Sequence, residues 1–567
     1  MNIPLLSLII WLPIGSLLIL LFIPQGLRKT YPIIALVTTI LQGIGVLFIL
    51  KKFTASLGFQ LIEELVWMRL PLGNLGTLSI KYAVGVDGMN IGLLGLVVFI
   101  LMIAVIASWP VNKYTQGYFA LFLLLDTLII GSFVAIDFLL FYLFFEATLI
   151  PIYFFIGLWG GRQRAQAATK FFLYTLLGTI CILVVLIGLG LSVYSPLETG
   201  IQAGILDIGD TITSEQLASI QHMVQNHQIA LKDMVHALDL RLMHEAHNFI
   251  PGSMLGLEAG QCLWGQPIRL LAFVGLLVGF LIKLAAVPLH SWLPEAHVEA
   301  PTPISIILSA ILLKIGGYGI LRTAYSIFPE GALYYSFWIA VLGVVSIGYA
   351  ALNALAMQDL KRMIAYASIA HMGYFLLGIA SLTHAGIHGA LYQLISHGLV
   401  TALLFLVISV LDDRTNNRNL ENYSGLALIM PDYTAITMIA FLAALGLPGF
   451  SGFIAELLIL LGALQATTFT PWIVLVGAIG IFLNAIYFIW TLQRVFWGKF
   501  SLRFPAWQVL LKDLSIREYS MFIPLIASIL LLGIFPDLLL NLCKDAVSQL
   551  VTNIHTIGKE HLALIFR

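Results

Sequence analysis

Long apolar runs separated by short polar loops recur along the whole chain. The runs are continuous rather than alternating, so they predict membrane-spanning helices and not a barrel. Roughly fourteen spans of about 20 residues each are expected. They cover residues 3–23, 32–50, 89–109, 117–134, 136–158, 169–192, 269–290, 302–322, 335–357, 363–382, 386–411, 432–465, 471–493 and 520–541. The predicted fold class is an all-α polytopic membrane protein.

Two of these runs carry a flaw. Pro288 falls inside the run 269–290, and Leu447-Pro448-Gly449 interrupts 432–465, which is too long for one straight span. Helix breaks at membrane depth are tolerated where the backbone lines a cavity or is covered by protein. Two broken helices in corresponding places of two halves point to inverted repeats. The expected organisation is N-terminal helices at 1–110, a first repeat at 111–325, a second at 326–498, and a C-terminal loop and last helix at 499–567.

One hydrophilic segment, 195–268, interrupts the pattern. Within it, TSEQLASIQHMVQNHQIALKDMVHALDLRLMHEA (213–246) predicts an amphipathic helix. Thr213 and Gln216 have capping-box spacing, and Leu217, Ile220, Val224, Leu231, Val235, Leu238 and Leu242 fall on one face. His222, His227, His236, His244 and His247 make a metal site conceivable, but HEAH lacks the HExxH spacing. A solvated loop helix packed on the membrane domain is the expected reading.

Composition narrows the function. The chain is 60% hydrophobic and 10% charged, against about half and a quarter in soluble domains. Its formal net charge is zero, which leaves no electrostatic footprint for nucleic acid. Cys181, Cys262 and Cys543 have neither zinc nor iron–sulfur spacing. No GxGxxG or phosphate loop opens a helix. A bound redox cofactor, nucleotide or metal is therefore not expected in this chain. The start of the chain lacks a basic n-region and reads as a retained span. Arg28, Lys29, Lys113, Arg162, Arg164, Lys361, Arg362, Arg414, Arg418, Arg494, Lys499 and Arg503 fall in one set of loops, which the positive-inside rule puts in the cytoplasm, with both termini outside. Lys51, Lys52, Lys81 and Arg322 run against that assignment.

Few ionisable groups lie well inside the spans: Lys283 and Lys314, the acids Asp126, Glu146 and Glu456, and His371 and His397. Each costs roughly 2.5–3.5 kcal/mol by insertion scales. One alone reads equally well as interhelical glue. Together they suit a proton wire. A lysine taken out of water gives up its proton more readily, a nearby carboxylate opposes that, and histidine titrates near neutrality.

Five stretches are specific enough to carry a resemblance: FYLFFEATLIPIYFFIGLWGGRQRAQAATKFFLYTLLG (141–178), LIKLAAVPLHSWLPEAHVEAPTPISIILSAILLKIGGYGILR (281–322), DLKRMIAYASIAHMGY (359–374), LYQLISHGLVTALLFL (391–406) and LPGFSGFIAELLIL (447–460). They resemble the antiporter-like membrane subunits of respiratory complex I, the proton-pumping NADH:quinone oxidoreductase. PEAHVEAPTP with LLKIGGYG is similar to the chain M, or mitochondrial chain 4, type. The chain L type has an AMEGPTP-like version and a long lateral helix.

The resemblance implies fourteen helices with two inverted five-helix repeats. It implies that Glu146 and Lys283 form the functional pair of a first half-channel, that Lys314 lies on the connection, that His371 and His397 continue it, and that Glu456 is the terminal proton-exchanging acid. Asp126 stands where the family more often has Glu. Nothing carries over to 195–268, where the family's loop is shorter; a contact with a neighbouring or accessory subunit on the outer face is expected there. The implied activity is proton translocation coupled to quinone reduction elsewhere. NADH, FMN, iron–sulfur clusters and quinone belong to partner subunits, and no redox chemistry to this chain. The implied partners are the other membrane subunits, two homologous antiporter-like chains among them, and the lipid bilayer. A subunit of a multisubunit cation/proton antiporter, or of a ferredoxin- or hydrogenase-linked relative, remains an alternative. The long insertion favours a bacterial plasma membrane over a mitochondrial inner or thylakoid membrane.

Overall fold

The computed structural model describes residues 4–207, 213–257 and 262–566. Residues 208–212 and 258–261 of the hydrophilic segment, the first residue of the first expected span and the last residue of the expected C-terminal region lie outside the described residues. Among the described residues, eleven helices are long and apolar enough to cross a membrane, and each falls on an expected span. The other expected spans are shorter pieces: Ile91–Ala107, Ile268–Leu284, and a run split into Pro431–Ala444 and Ser451–Gln465. In lipid every backbone polar group must be satisfied within its own segment, which is why apolar runs of this length become helices.

Burial separates centre from rim. The most apolar stretch of Thr302–Tyr325 is 100% buried, and those of Leu360–Ala380 and His384–Thr415 are 94% buried, against 28% for Leu5–Phe22 and Ile516–Ile534. The three buried helices hold Lys314, His371 and His397.

Both breaks exist, and the first, which contains Pro288, begins a few residues earlier than expected. Ile268–Leu284 ends at Ala285, in the left-handed region at φ 59°, before Pro288 is reached; the chain resumes as Trp292–Glu299. Side chains satisfy what the break frees. Trp292 Nε1 donates to the Ile282 carbonyl at 2.8 Å, and Ser346 Oγ accepts from the Val287 N–H at 3.1 Å. The second break spans 445–450, as expected around Pro448, with Gly446 at φ 68° and Gly449 at φ 99°. A third irregularity was not legible: Thr302–Tyr325 contains two π-helical segments, Leu308–Leu312 and Ile320–Tyr325.

The hydrophobic pattern predicts no element over 51–88. There, β1 (Gln60–Pro71) and β2 (Thr77–Val86) form an antiparallel hairpin, joined in parallel by β3 (Val235–Ala237) from the insertion. β3 corrects a second expectation. Of the 213–246 stretch, Ser214–Gln225 forms a helix, opened by the expected Thr213/Gln216 capping box, and only the single turns Leu231–Asp233 and Leu240–Met243 are helical among the described residues after it. His227 then adopts φ 54° and the chain turns toward β2, so Leu231, Val235, Leu238 and Leu242 do not continue that helix. Pairing with β2 outweighs the helical pattern.

The loops gather on two faces. Gly161 N–H donates to the Glu299 carbonyl, Arg418 Nη1 to the Val298 carbonyl and Leu360 N–H to the Arg418 carbonyl, tying together loops of the Lys/Arg-rich set. The exceptions Lys81 and Arg322 belong to the opposite face, where each is ion-paired. Lys51 and Lys52 sit in the last turn of Thr30–Lys52, where the helix dipole favours a cation. The last expected span, 520–541, is cut at 535–536: Ile516–Ile534 is followed by Asp537–His555 and Ile557–Ile565, which fold back on that face, so the C-terminal region holds more helices than the single one expected.

Candidate functional site

Four of the six expected residues form one buried line. Lys314 is fully buried, and its Nζ lies 2.7 Å from His397 Nδ1 and 2.5 Å from the Ser309 carbonyl. Ser309 lies in the first π-helical segment, five residues before Lys314. Such bulges re-aim groups at functional sites. The His397 and His371 ring centroids are 5.2 Å apart. His371 Nδ1 stands 3.5 Å from Glu456 Oε1 and 3.3 Å from Gln393 Nε2. Glu456 lies in the first turn or two after the second break, and Gly446 within that break faces it: a Cβ on Gly446 would meet Glu456 Oε2 at 2.6 Å.

The N···N contact of 2.7 Å requires a proton on one partner and a lone pair on the other. Lys314 and His397 therefore share a proton in this geometry. His397 Nε2 has no hydrogen-bond partner among the described residues.

The other two expected residues are close but unpaired. Lys283, in the last turn before the first break, is buried, and its Nζ donates to Thr148 Oγ1 at 3.4 Å and lies 4.7 Å from the centroid of the Phe145 ring. Glu146, one residue before the end of the helix Phe138–Ala147, has Lys283 and Thr179 as polar neighbours. No ion pair joins Glu146 to Lys283 among the described residues, and Glu146 Oε2 lacks a partner there. The expected pair is open in this structure, with Thr148 standing in as the lysine's acceptor. No hydrogen bond among the described residues links Lys283 to Lys314.

Sequence reasoning missed Thr148, Thr179, Ser309 and Gln393. Small hydroxyls and amides are common in spans, so only their position identifies them. Asp126 is fully buried and accepts from Gln42 Nε2 at 3.1 Å, away from the line.

The insertion's histidines do not gather: among the described residues no cluster of three metal-ligating side chains exists. His236 Nε2 is 2.7 Å from the Leu75 carbonyl. His244 is pushed down to about 4 by burial first and then by the Arg322 charge. Instead the insertion contributes charge to the hairpin. Glu198 meets Lys81 at 2.7 Å and Arg69 at 3.5 Å, and Arg241 meets Glu64 at 2.7 Å and also Asp239. Burial alone would raise the Glu64 carboxyl, but hydrogen bonds from Lys81 and Arg241 hold it below the usual carboxylate range. Burial alone would lower the Lys81 ammonium, but Glu198 and Glu64 hold it above its usual value.

The family described as NADH:quinone oxidoreductase/Mrp antiporter, TM, matches residues 135–195 and 238–483. The chain belongs to that family. All six residues of the site fall within the matched ranges, and the gap between the two ranges, 196–237, lies in the insertion. Subunit M of the NADH-quinone oxidoreductase of Rhodobacter capsulatus is 36% identical over 559 residues, 97% of each chain. The NADH-ubiquinone oxidoreductase chain 4 of Marchantia polymorpha is 33% identical over 549 residues, 96% of this chain and 97% of that one. A chain of respiratory complex I from Thermus thermophilus superposes with a TM-score of 0.72 at 27% identity, over 96% of this chain and 99% of that one. A chain of the Mrp complex from Dietzia, at 18% identity and a TM-score of 0.72 over 100% of both chains, shares the fold.

Proposed function

We propose that this chain is a proton-translocating subunit in the membrane arm of an NADH:quinone oxidoreductase, of the subunit M type. The observation that carries the reading is the buried line Lys314, His397, His371, Glu456, held in a member of this family. NADH, FMN, iron–sulfur and quinone chemistry falls to partner subunits, including two homologous antiporter-like chains. The membrane is the bacterial plasma membrane, with the Lys/Arg-rich face in the cytoplasm.

The chain divides at 110, 325 and 498 into N-terminal helices, two inverted repeats and a C-terminal region. Breaks beside Lys283 and before Glu456 support that division. Lys283 and Glu146 act as a gate. Charge arriving along the membrane arm closes or opens the pair, and its field moves the proton shared by Lys314 and His397 toward His371 and Glu456. Transfer of one charge against 100 mV needs about 2.3 kcal/mol, and one ion pair opening in a low-dielectric interior supplies that much.

Lys283→Ala and Glu146→Ala, each assayed in the assembled complex, test this. Coupled quinone reductase activity and proton pumping should both fall; wild-type values for both would refute the assignment. Co-purification with flavin and iron–sulfur subunits separates this reading from a cation/proton antiporter.

A further inference from the structure

A cleft of about 870 Å³ lies on the face opposite the Lys/Arg-rich loops, where three parts of the chain meet over Arg322. The insertion supplies Arg241 and His244, the start of the hairpin supplies Phe59 and Ile62, and the last helix supplies Glu560 and Leu564. The cleft sits at the level where the spans end. Arg322 lies three residues before the end of Thr302–Tyr325, and Met89 of the same wall lies two residues before Ile91–Ala107. Lipid headgroups occupy that level of a bilayer.

The polar groups of this wall are only partly used. Arg322 donates through Nε to Tyr318 and through Nη2 to Asp87. Arg241 donates through Nε and Nη2 to Asp239, and through Nη2 to Glu64. Each guanidinium keeps its Nη1 without a hydrogen bond among the described residues. Glu560 is exposed and makes no ion pair among them. His244 Nε2 is buried and has no partner there. Burial first and then the Arg322 charge push that ring down to about 4, so at neutral pH it is an uncharged group that still needs a polar contact.

Free donors on two arginines and a free carboxylate on one wall suit a ligand that carries both charges. The planar guanidinium matches phosphate oxygens. The Glu560 carboxylate can only accept, so it suits a cation that has N–H groups. Phe59, Ile62 and Leu564 make other parts of the wall apolar, and filling the cleft with water alone would leave that surface wet. The volume also falls in the range of small-molecule sites, about 300–1,000 Å³.

We infer that this cleft binds a phosphoethanolamine group, a phosphate joined to a primary ammonium. The phosphate meets Arg241 and Arg322, the ammonium meets Glu560, and His244 Nε2 gains its missing contact from the same group. Bound there, the ligand ties the insertion to the hairpin and the last helix. The site does not depend on proton translocation. Two sources carry this chemistry: the headgroup of phosphatidylethanolamine and free phosphorylethanolamine.

The test titrates the purified, delipidated complex with phosphatidylethanolamine, phosphatidylcholine or free phosphorylethanolamine. Protection of the insertion from limited proteolysis is the readout. Phosphatidylethanolamine should protect at a concentration about tenfold or more below phosphatidylcholine, whose quaternary ammonium has no N–H to donate. Protection by phosphatidylethanolamine alone assigns the site to the lipid; equal protection by free phosphorylethanolamine assigns it to the headgroup chemistry itself. Both outcomes support the inference. Glu560→Gln, at an exposed and unpaired position, should raise the concentration needed about tenfold. Glu215→Gln, on the helix Ser214–Gln225 and outside the cleft, should leave it unchanged. Equal protection by the two lipids, or Glu560→Gln behaving as the unaltered complex, would overturn the inference. So would a high-resolution map of the complex that shows only water, or a partner's side chain, in the cleft.

Discussion

Lys314 Nζ and His397 Nδ1 lie 2.7 Å apart at the centre of the bundle, while His397 Nε2 faces away from the lysine without a partner among the described residues. In the proposed route one ring nitrogen takes the lysine's proton and the other passes it on. His397→Gln keeps an acceptor for Lys314 but cannot carry a proton. It should assemble normally and pump about tenfold more slowly or worse, the scale of a lost proton-transfer group. Acidification of vesicles, normalised to the amount of complex, measures this. Normal pumping in His397→Gln would place the transfer route elsewhere.

Gly446 leaves room for the Glu456 carboxylate by having no side chain. At φ 68° it occupies the left-handed region, and a Cβ there would meet Glu456 Oε2 at 2.6 Å. Gly446→Ala combines backbone strain of about 1–2 kcal/mol with displacement of the carboxylate from His371. Gly449→Ala is the control: its φ is 99°, but nothing lies within 4 Å of the added carbon. Both variants should lose some assembly. Only Gly446→Ala should lose pumping per assembled complex, and equal loss in the two would refute a role for the Glu456 position.

The spans were legible because a bilayer demands about 20 apolar residues and leaves no other signal so plain. The titratable residues were legible for the same reason: Lys283, Lys314 and Glu456 stand out where charge is costly. Position was not legible. The break contains Pro288 but opens three residues before it, at Ala285, where Trp292 and Ser346, 10 and 59 residues from their backbone partners, stabilise it. β1 was hidden because Leu65, Val66 and Trp67 are all exposed, so no alternation of inward and outward residues marks the strand. The helix expected over 213–246 was cut short because β3 finds its partner in β2, more than 150 residues earlier by chain number. The displaced break and the shortened helix are tertiary contacts overriding a local pattern, and β1 is a strand that carries no pattern to read.

Thr148 is the lysine's partner while Glu146 is apart from it. Thr148→Val removes the Oγ1 that accepts from Lys283 at 3.4 Å and donates to the Phe145 carbonyl at 2.7 Å. A hydrogen bond of this kind contributes about 1 kcal/mol, so the balance between open and closed gate should shift about fivefold. The open gate loses its stabilising contact, and Lys283 then turns more often to Glu146. Quinone reductase activity should fall several-fold with assembly unchanged, a smaller loss than in Lys283→Ala. An unchanged rate would show that Thr148 does not hold the open state.

The docking of the insertion on the hairpin should depend on acid. Glu64 is held below its ordinary value of 4.5, so its contribution is present above that pH and is lost as pH falls through the lowered value. Lys81 is held above its ordinary value of 10.5, so its contribution is complete below that pH and is lost only in stronger base. Between these limits the cluster is intact. Limited proteolysis within the insertion should therefore be flat from mildly acidic to mildly basic pH and rise below pH 4.5. Glu64→Gln should remove the acid-dependent part of that rise. Cleavage that increases equally in both proteins would assign the acid sensitivity to other groups.

Arg322 Nη2 and Asp87 Oδ1 meet at 2.5 Å in a buried pair. Tyr318 Oη accepts from Arg322 Nε at 3.0 Å, and the guanidinium lies 4.8 Å from the Phe59 ring centroid. Asp87 Oδ1 also accepts the backbone N–H groups of Met89 and Asn90, just before the helix Ile91–Ala107. Removing one partner of such a pair strands the other, at a cost of about 3–5 kcal/mol. Asp87→Ala and Arg322→Ala should each sharply reduce the amount of assembled complex. The double variant Asp87→Ala/Arg322→Met leaves no buried charge and should assemble better than Asp87→Ala alone, yet below wild type, because the backbone groups that Asp87 satisfies stay open. The amount of complex on native gels measures all three. A double variant that does no better than Asp87→Ala would mean that Asp87 matters as the cap of its helix and not as the counter-ion of Arg322.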